Sequence, residues 1–558
     1  MSRSLLLVVS SLLLSIPQFC IAQPVATAPT WSAAGQNGAV ATGEKEATEA
    51  GLEMLKSGGN AADAAAAMLM VQSVTESGSY CFGGEVPIIV YDAQRNVVEV
   101  ISGMGTAPKM ATREYFAAKG GIPKSGIETA AVPAAPGAII TLLDRYGTRT
   151  FEQAAQPMLR TLDRHGKEWH ADLAVNIRKM IAAEKSPSVV AGPTTPNMDR
   201  RRGLRLAEDC FYRGSIARDI EAWAIANGGL LRYCDLATYA TRIEEPTSVD
   251  YRGYTVCKCD TWTQGPVLLQ SLRLLEETDI KSLGPDSPDY IHQVTEAMKL
   301  ALADRDIYYG DPLISDIPLT QLLSKSYANI RRPLIDPQRA SLIFRPGDPR
   351  GNKAEIAAAD VPAGNKVVAS DTTTCLAADR FGNVIAATPS GWGGVMAGKT
   401  GVQLGSRLIS LNTKEGSPDC IEPGKRPRIT LTPTLVLKVN KPCLAISVAG
   451  GDLQDQVSLQ VLLNSIEFGL PLERAVTAPR FSTAHHIGSF NQPPPALGSL
   501  SVNEEVGEKT LANLAARGHK VSATKGAIGA PVAIRMDATT GKKNVAGDPK
   551  AGRKVAAY

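Results

Sequence analysis

The sequence has few aromatic residues and no large excess of positive or negative charge. Both features exclude classes of protein. Aromatic residues make up 5% of the 558 residues, and 59 Lys and Arg nearly balance 55 Asp and Glu, for a net charge of +4. So small an excess gives no sustained positive field, and we expect no nucleic-acid partner. The one basic cluster is most simply part of a solvated loop; it contains Arg200, Arg201, Arg202 and Arg205.

Long apolar runs are missing beyond the N-terminus. Residues 5–16 are almost wholly apolar and follow Arg3, but this run is shorter than a membrane span. The pattern predicts a secretory signal peptide over residues 1–22, with a membrane anchor as the alternative. We therefore expect a periplasmic or secreted protein without a stable membrane anchor.

Histidine is scarce, and the cysteines lack the spacing of a metal site. The chain has six His and nine Cys, without the CxxC pairs or neighbouring His that hold zinc. We therefore expect no metal and no cofactor. Cys257 and Cys259 stand two apart on a predicted strand, which is a poor geometry for bridging each other. We expect the eight cysteines after the signal peptide to be structural, and their pairing stays open.

The first hundred residues have the pattern of helices packed on a sheet. Residues 46–56 have helical apolar spacing and stop at a Ser-Gly-Gly sequence. Asn60 can cap a second helix that runs to Val74, whose small residues allow close approach to a neighbour. Residues 88–91 and 97–101 are predicted strands joined by a polar turn. A helix layer covering a sheet is the simplest account.

The second half of the chain changes from a linker pattern to short strands. Residues 325–368 are rich in Pro, Gly, Asp and Lys with little periodicity, which predicts an exposed linker. Strands are predicted afterwards at residues 375–378, 384–387, 432–438 and 444–448, followed by a helix over residues 456–468.

Two stretches in this half could contain residues that take part in catalysis. Residues 371–392, DTTTCLAADRFGNVIAATPSGW, follow the predicted linker and have three threonines in a row after Asp371. Such a run is typical of an ordinary strand with one polar face, but it could also present a hydroxyl nucleophile. Gly450 and Gly451 stand between a predicted strand and a predicted helix. They indicate either a tight turn or free backbone N–H groups that hold an anion.

A series of short motifs follows one another along the chain: EATEAG (46–51), GGNAADA (58–64), FYRG (211–214), DLA (235–237), YRG (251–253), QGP (264–266), ADR (303–305), GDP (310–312), DTT (371–373), GN (382–383), GKRP (424–427), GG (450–451) and APRF (478–481). In this order they resemble the γ-glutamyltranspeptidase family of N-terminal-nucleophile hydrolases, over nearly the whole mature chain. The resemblance implies an α+β fold, namely a four-layer αββα sandwich. It also implies a proenzyme that is cut between Asp371 and Thr372 into a large subunit, residues 23–371, and a small subunit, residues 372–558, which stay associated.

The resemblance also assigns roles to single residues. Thr372 is the implied nucleophile, and cleavage creates its base, the new α-amino group, whose reference pKa is about 7.7–8.0. Cys375 is a weaker alternative nucleophile, because it does not stand at the new N-terminus. Ser390 matches the second hydroxyl that holds the nucleophile, with Thr388 two residues before it. The remaining implied matches are Gly450 and Gly451 to the oxyanion hole and Thr430 to a substrate-binding serine.

The sequence departs from the family at substrate recognition. Where the family has an arginine and a set of acidic and amide residues for the γ-glutamyl zwitterion, this chain has Met104 and LGSRLISL (404–411). Ile429 replaces the first paired serine, and Trp392 replaces an asparagine near the second hydroxyl. Both could line an apolar acyl pocket or belong to the core. Arg407 is the one new charge that could meet the acyl group, with a solvated surface arginine as the alternative.

Three functional hypotheses follow. The first is a self-processing amidohydrolase or acyltransferase that forms a Thr372 acyl-enzyme on a small-molecule amide other than a standard γ-glutamyl compound. The second is a true glutathione hydrolase or γ-glutamyltransferase with a rebuilt pocket. The third, from another class, is a binding protein that has kept the fold and lost catalysis.

Overall fold

The computed structural model describes residues 29–186, 195–357, 372–391 and 393–558. The predicted signal peptide lies outside these residues. Within them the chain is a mixture of helices and sheets, as predicted. No helix in this part of the chain combines the length and the apolar character that crossing a membrane requires.

The described residues form nineteen strands: β1 (Ser32–Gly35), β2 (Gly38–Thr42), β3 (Ile88–Asp92), β4 (Val97–Ser102), β5 (Arg242–Glu244), β6 (Thr247–Tyr251), β7 (Tyr254–Lys258), β8 (Cys375–Asp379), β9 (Val384–Ala387), β10 (Val395–Met396), β11 (Gln403–Leu404), β12 (Thr434–Lys438), β13 (Lys441–Ala449), β14 (Phe481–Ser482), β15 (Ser499–Asn503), β16 (Lys520–Thr524), β17 (Ala530–Met536), β18 (Lys543–Gly547) and β19 (Lys554–Ala557). They also form seventeen α-helices: α1 (Lys45–Lys56), α2 (Ala61–Thr75), α3 (Arg113–Ala117), α4 (Ala135–Tyr146), α5 (Phe151–His165), α6 (Glu168–Glu184), α7 (Pro196–Tyr212), α8 (Ser215–Ala226), α9 (Tyr233–Ala237), α10 (Pro266–Leu275), α11 (Ile280–Leu283), α12 (Pro288–Tyr308), α13 (Leu319–Leu322), α14 (Lys325–Arg331), α15 (Gln454–Ile466), α16 (Leu472–Thr477) and α17 (Glu508–Ala516).

Two seven-stranded antiparallel sheets organise these elements. Sheet I has the strand order β19-β2-β8-β9-β3-β4-β5, and sheet II has the order β1-β18-β17-β13-β12-β7-β6. Sheet I contains strands from both ends of the sequence, and so does sheet II. The segments before and after residue 371 are therefore interleaved by main-chain hydrogen bonds.

The core follows the alternation of side chains along the strands. On β8, Leu376 and Ala378 belong to a hydrophobic cluster that also contains Ala445 and Ile534 of sheet II, so this cluster lies between the sheets. Their neighbour Ala377 belongs instead to a cluster with α1, α2 and α4–α8. Sheet II likewise buries Ile446, among others, against α10, α12 and α15. Each sheet therefore buries both of its faces.

Helix α2 confirms the prediction made from its cap and its small residues. The Asn60 side chain accepts from the Asp63 N–H (3.0 Å), and the Asp63 carboxylate accepts from the Asn60 N–H (2.8 Å), which is a complete capping box. Alanines dominate the helix, and its residues from Ala61 to Val74 are buried. The predicted helix before it and the first two predicted strands are likewise found, as α1, β3 and β4.

Two loop predictions were wrong. Residues 325–368 were expected to be an exposed linker, but they begin with α14, and Arg331 and Arg345 are buried. Arg331 pairs with Asp304 (3.2 Å) and Arg345 pairs with Glu296 (3.0 Å), so two ion pairs with α12 hold this segment against the protein. Residues 358–371 lie outside the described part of the chain.

The basic cluster lies on helix α7 and not in a loop. Thr195 caps this helix by accepting from the Met198 N–H, and a proline stands in its first turn. The Arg200 guanidinium donates to the Leu143 carbonyl (2.9 Å), and Arg201 pairs with Asp144 (2.8 Å). These arginines therefore serve local packing.

The eight described cysteines are all free thiols.

Candidate active site

The candidate nucleophile begins the strand β8. Thr372 is 5% exposed, and the two threonines after it lead directly into β8. This strand forms a hairpin with β9 around a turn that the Asp379 carboxylate holds. Its Oδ1 atom accepts from the N–H groups of Phe381 (2.8 Å) and Asn383 (3.0 Å).

The hairpin register brings two hydroxyl residues together. Cys375 pairs with Ala387, and continuing this antiparallel register by three residues places Thr372 opposite Ser390. The hydrogen bond from the Thr373 N–H to the Pro389 carbonyl (3.0 Å) shows that the register continues beyond the strands. The predicted nucleophile and the predicted second hydroxyl are therefore neighbours.

Ser390 is held through both its backbone and its hydroxyl. Its N–H donates to the Glu85 carbonyl (2.9 Å), and its carbonyl accepts from the Glu85 N–H (3.0 Å). Its Oγ atom accepts from Nη2 of Arg407 (3.1 Å), and its hydroxyl donates to the Ser79 carbonyl (3.4 Å). The side chain is fully buried, so its position is determined by these contacts.

Arg407 is buried beside Ser390 and is not a solvated surface residue. It begins a short 3-10 helix, Arg407–Ser410, and is 4% exposed. Its guanidinium forms an ion pair with the Glu85 carboxylate and lies over the Phe490 ring, 5.4 Å from the ring centroid. The charge of Arg407 is therefore matched inside the protein.

Thr388 connects the hairpin to the strand that leads to the glycine pair. Its Oγ1 atom lies 2.9 Å from Oγ of Ser447, and the Ser447 hydroxyl donates to the Ala387 carbonyl (2.8 Å). The single hydroxyl proton of Ser447 is used in the hydrogen bond to Ala387. The Thr388 hydroxyl is therefore the donor in the bond between Thr388 and Ser447. Ser447 stands on β13, which ends one residue before Gly450.

Gly450 and Gly451 form the turn between β13 and α15, as predicted. Their φ angles are +140° and +57°, values that residues with a side chain rarely adopt. Within the described chain, neither N–H donates to an acceptor. The Gly451 carbonyl accepts from Nε2 of Gln264 (3.3 Å), which fixes the following peptide.

A buried arginine supports the glycine turn through hydrogen bonds to two residues that contact or follow it. Nη1 of Arg305 donates to Oε1 of Gln264 (2.8 Å) and to Oδ1 of Asp452 (2.6 Å). Burial alone would raise the pKa of Asp452, but the Arg305 guanidinium and His486 hold it well below its usual value. Asp452 therefore stays ionised and keeps this support in place.

A second charged cluster holds the residues directly after Thr372. The Thr373 hydroxyl donates to both carboxylate oxygens of Glu76 (2.8 and 2.9 Å). Nη1 of Arg553 lies 3.3 Å from the Thr373 hydroxyl and 3.4 Å from the Thr374 hydroxyl. Burial raises the pKa of Glu76, and Arg553 opposes this shift. The cluster anchors the start of β8 to helix α2 and to the C-terminal segment.

Those residues predicted for substrate binding that the structure describes are buried. Met104 (2% exposed) and Ile429 (fully buried) belong to the hydrophobic cluster between the sheets. The Thr430 hydroxyl is buried and has no hydrogen-bond partner among the residues described. Asp371 and Trp392 lie outside the described residues.

Sequence reasoning missed several residues that hold the site. Gln264 and Arg305 stand in motifs that were recognised, but their buried contacts gave no signal in the sequence. Glu85 follows a Gly-Gly pair, and Ser447 lies in an ordinary strand pattern. Only the three-dimensional contacts show that these four residues support the site.

One cluster of two histidines and a glutamate has ligand atoms as close together as in a metal site, but its surrounding charges do not suit a cation. Ligand atoms of His292, Glu296 and His519 lie within 4.8 Å of one another. However, Glu296 already binds Lys299 (2.6 Å) and Arg345 (3.0 Å), and the two histidines are hydrogen-bonded to each other (2.8 Å). Two positive side chains would compete with a cation there, so we assign no metal to it.

Known proteins share this architecture and much of this sequence. The family model described as Gamma-glutamyltranspeptidase matches residues 47–191 and 203–558. A "Glutathione hydrolase proenzyme" of Escherichia coli (strain K12) is 31% identical over 92% of this chain and 90% of its own. An "Acylase ACY 1 proenzyme" of Pseudomonas sp. (strain SE83) is 31% identical over 88% of both chains. The crystal structure of a cephalosporin acylase from Bacillus halodurans superimposes with a TM-score of 0.77 at 28% identity, over 97% of this chain and 99% of its own.

Proposed function

The chain belongs to the γ-glutamyltranspeptidase family, and we propose that it is a proenzyme that cuts itself before Thr372 and then hydrolyses amides. In this proposal residues 23–371 and 372–558 become two subunits that stay associated in an αββα sandwich of the N-terminal-nucleophile type. The interleaved strands of sheets I and II support the association. The word proenzyme in the names of both curated relatives supports the cleavage. We expect export of the protein to the periplasm or the medium.

The observation that carries the proposal is the register of the β8–β9 hairpin. It sets Thr372 opposite Ser390, so a nucleophilic hydroxyl would have a buried hydroxyl partner across the hairpin. Gly450 and Gly451 follow the strand tied to this hairpin by Thr388 and Ser447, and their N–H groups have no acceptor within the described chain. These are the parts that acyl transfer needs.

The self-cleavage would proceed in two balanced steps. The Thr372 hydroxyl oxygen attacks the carbonyl carbon of Asp371, the C–N bond breaks, and the hydroxyl proton passes to the nitrogen. The product is an ester between the Asp371 acyl group and the Thr372 oxygen. The new α-amino group of Thr372 is free from this first step, and water then hydrolyses the ester, which releases the Thr372 hydroxyl and the carboxylate of Asp371.

The mature enzyme would repeat this chemistry on an external amide. The α-amino group of Thr372 takes the hydroxyl proton as the oxygen attacks the substrate carbonyl, and it returns the proton to the departing amine. The Gly450 and Gly451 N–H groups would stabilise the oxyanion, at about 2.7–4 kcal/mol for one donor. Water, or a second amine, then takes the acyl group from Thr372.

The site favours an acyl group other than γ-glutamyl. A γ-glutamyl zwitterion needs fixed opposite charges, and leaving either charge buried and unpaired costs on the order of several kcal/mol. Met104 and Ile429 offer no charge, and Arg407 is already neutralised by Glu85. We propose an acyl group that is uncharged next to Ser390. The Pseudomonas relative is named an acylase and not a glutathione hydrolase.

Two alternatives stay open. The name of the E. coli relative favours a glutathione hydrolase that binds γ-glutamyl compounds through a rebuilt pocket. Purified protein should be assayed with a γ-glutamyl anilide and with anilides of uncharged aliphatic and aromatic acyl groups, using Thr372→Ala as the control. Faster turnover of the uncharged anilides supports our proposal, and faster turnover of the γ-glutamyl anilide overturns it in favour of this alternative. A protein that binds without catalysis would release no aniline above the control.

A further inference from the structure

We propose that Lys258 and Asp455 form a positioning ion pair, which holds the Gly450–Gly451 turn in place for acyl transfer. This inference rests on the proposed oxyanion role of that turn. The pair takes no part in the chemistry itself, because it acts through the backbone of the turn.

The pair lies in the interior, between the end of β7 and the first turn of α15. Nζ of Lys258 lies 2.8 Å from Oδ1 of Asp455, and the two side chains are 0% and 1% exposed. Nζ also donates to the Thr432 carbonyl (3.0 Å) and to the Thr434 hydroxyl (2.8 Å). Each of the ammonium protons therefore has an acceptor, and the position of the lysine is fixed.

The chain from Lys258 to Gln264 is bonded at both of its ends to the chain from Gly451 to Asp455. At one end Lys258 binds Asp455, and at the other Nε2 of Gln264 donates to the Gly451 carbonyl (3.3 Å). Lys258 itself is held in sheet II, since β7 pairs with both β6 and β12. Sheet II therefore sets the position of the turn through two side chains.

Thr432 ties the start of α15 to the same region. Its N–H donates to Oε1 of Gln454 (3.2 Å), and its hydroxyl donates to Oδ1 of Asp455 (3.2 Å). Gln454 is the first residue of α15 and stands three residues after Gly451. A shift of the first turn of this helix would therefore move the N–H groups of the glycine pair.

The pair depends on the charge of Asp455. Its Oδ1 atom receives both of the contacts described above, and its Oδ2 atom has no partner among the residues described. Burial therefore raises the pKa of Asp455 to about 6, although Lys258 opposes this shift. Below that pH the carboxylate gains a proton and the ion pair is lost, so we expect acid to release the turn.

Other ionisable groups also face the pair, namely Arg305 and Tyr309 of α12 and Cys259 and Asp260 after β7. Burial raises the pKa of Cys259 and of Tyr309, so both stay neutral below pH 7.5. Burial alone would lower the pKa of Arg305, but neighbouring carboxylates raise it, and it stays charged. All four groups are retained in the variants below, so their effects cancel in a ratio of rates.

The rate of self-cleavage at different pH values tests the positioning role. Precursors of wild type and of K258M/D455L are pulse-labelled by cell-free translation, moved to buffers between pH 5 and pH 7.5, and followed by gel. The double variant replaces the whole pair by apolar residues, a change that proteins often tolerate. At pH 7.5 we expect it to cleave about tenfold to a hundredfold more slowly than wild type, as a small misplacement at a reacting site does.

The pH dependence is the result that a merely structural role would not produce. In wild type the Asp455 charge is lost below about pH 6, whereas the variant has no carboxylate at this position. The ratio of the wild-type rate to the variant rate should therefore shrink about fivefold to tenfold between pH 7.5 and pH 5. Groups common to both proteins, including the buried histidines, cancel in this ratio.

Two further variants guard the test. Glu184→Gln is the matched control, because burial raises the pKa of Glu184 as well, and this carboxylate accepts from the N–H groups at the start of α5. The ratio of the wild-type rate to the Glu184→Gln rate should stay near one at both pH values. If K258M/D455L does not fold, K258M/D455N takes its place with the same expectations, since asparagine keeps the shape of Asp455.

Each outcome has a definite meaning. If wild type is cut but the double variant is cut equally fast at pH 7.5, or the ratio of their rates is the same at pH 5, the inference is overturned and the proposed function stands. If Glu184→Gln produces the same change of ratio, the effect is not specific to Asp455 and the inference is also overturned. If wild type stays whole, both proposals fail.

Discussion

At the scale of single residues, the site depends on side chains that join the two sheets close to Thr372. Thr388 is one of them, because its hydroxyl donates to Ser447 on the strand before the glycine pair. This contact lies between the sheets and is buried. A change here therefore reports on how the hairpin and the glycine turn are aligned.

Thr388→Val should weaken this alignment without changing the shape of the side chain. We expect a loss of about 1 kcal/mol in the free energy of unfolding, which is typical of one buried hydrogen bond, and slower self-cleavage. Stability is measured by urea unfolding in the Thr372→Ala background, where the chain should stay whole. Thr161→Val removes another buried threonine hydroxyl and should leave cleavage unchanged. Normal cleavage in Thr388→Val would contradict the proposed alignment.

Gly450→Ala tests the glycine turn. An added Cβ would meet ordinary contacts at 3.4 Å, so the cost comes from the φ angle of +140° and not from a clash. We expect roughly 1–3 kcal/mol of destabilisation and a much slower cleavage, since the turn would relax and move its N–H groups. Gly469→Ala places a side chain at a φ of +63° in open space and serves as the strain control. Equal cleavage rates in the two variants would argue against an oxyanion role.

At the scale of elements, the β8–β9 hairpin positions the chemistry and its turn sets the register. The Asp379 carboxylate accepts from three groups of the turn, the N–H groups of Phe381 and Asn383 and the Asn383 amide (2.8 Å). It also accepts from the Ala61 N–H (2.9 Å) at the start of α2. One side chain therefore fixes the hairpin and docks it on a helix.

Asp379→Ala should loosen the register that pairs Thr372 with Ser390. We expect a loss of at least about 2 kcal/mol in stability, because several buried N–H groups lose their acceptor, together with slow or incomplete cleavage. Asp92→Ala is the matched control, since Asp92 accepts from Gln94 and Arg95 in the β3–β4 turn of the same sheet. Cleavage that is as fast in Asp379→Ala as in Asp92→Ala would show that the turn does not control the site.

The sequence predicted the elements whose signals are local. Helix α2 was predictable because its cap and its alanines are adjacent in the chain, and the strands β8 and β9 were predictable because each is a short apolar run. The pairing of Glu85 with Arg407 joins residues 322 positions apart, and no local pattern indicates it. The predicted linker failed for the same reason, because the partners of Arg331 and Arg345 lie on α12, which no pattern within the linker shows.

At the scale of the whole molecule, buried histidines make stability depend on pH. Burial, with a further contribution from Lys299, lowers the pKa of His485 and of His519 to about 3. The unfolded chain binds protons at these residues below their ordinary pKa of about 6.5, whereas the folded chain does so only near pH 3. Stability present above pH 6.5 is therefore lost as the pH falls toward 3.

His519→Gln should make the protein less sensitive to acid. Glutamine can still donate to Nδ1 of His292, as His519 does (2.8 Å), but it takes up no proton. The nearby charged residues Arg345, Arg517 and Lys299 are the same in the variant and in the parent protein. Their own contributions to the pH dependence of stability therefore cancel when the two slopes are compared. Between pH 4 and 6, the slope of unfolding free energy against pH should fall by up to about 1.4 kcal/mol per pH unit. An unchanged slope in the Thr372→Ala background would contradict the pKa shift.

The central claim concerns one peptide bond in the whole chain, and intact mass spectrometry with N-terminal sequencing tests it most directly. Purified wild type should contain two chains, and the smaller should begin at Thr372. Thr372→Ala should remain a single chain that ends with the same Tyr558. A wild type that stays whole, a cut at another residue, or a Thr372→Ala variant that is still cut before residue 372 would contradict the account.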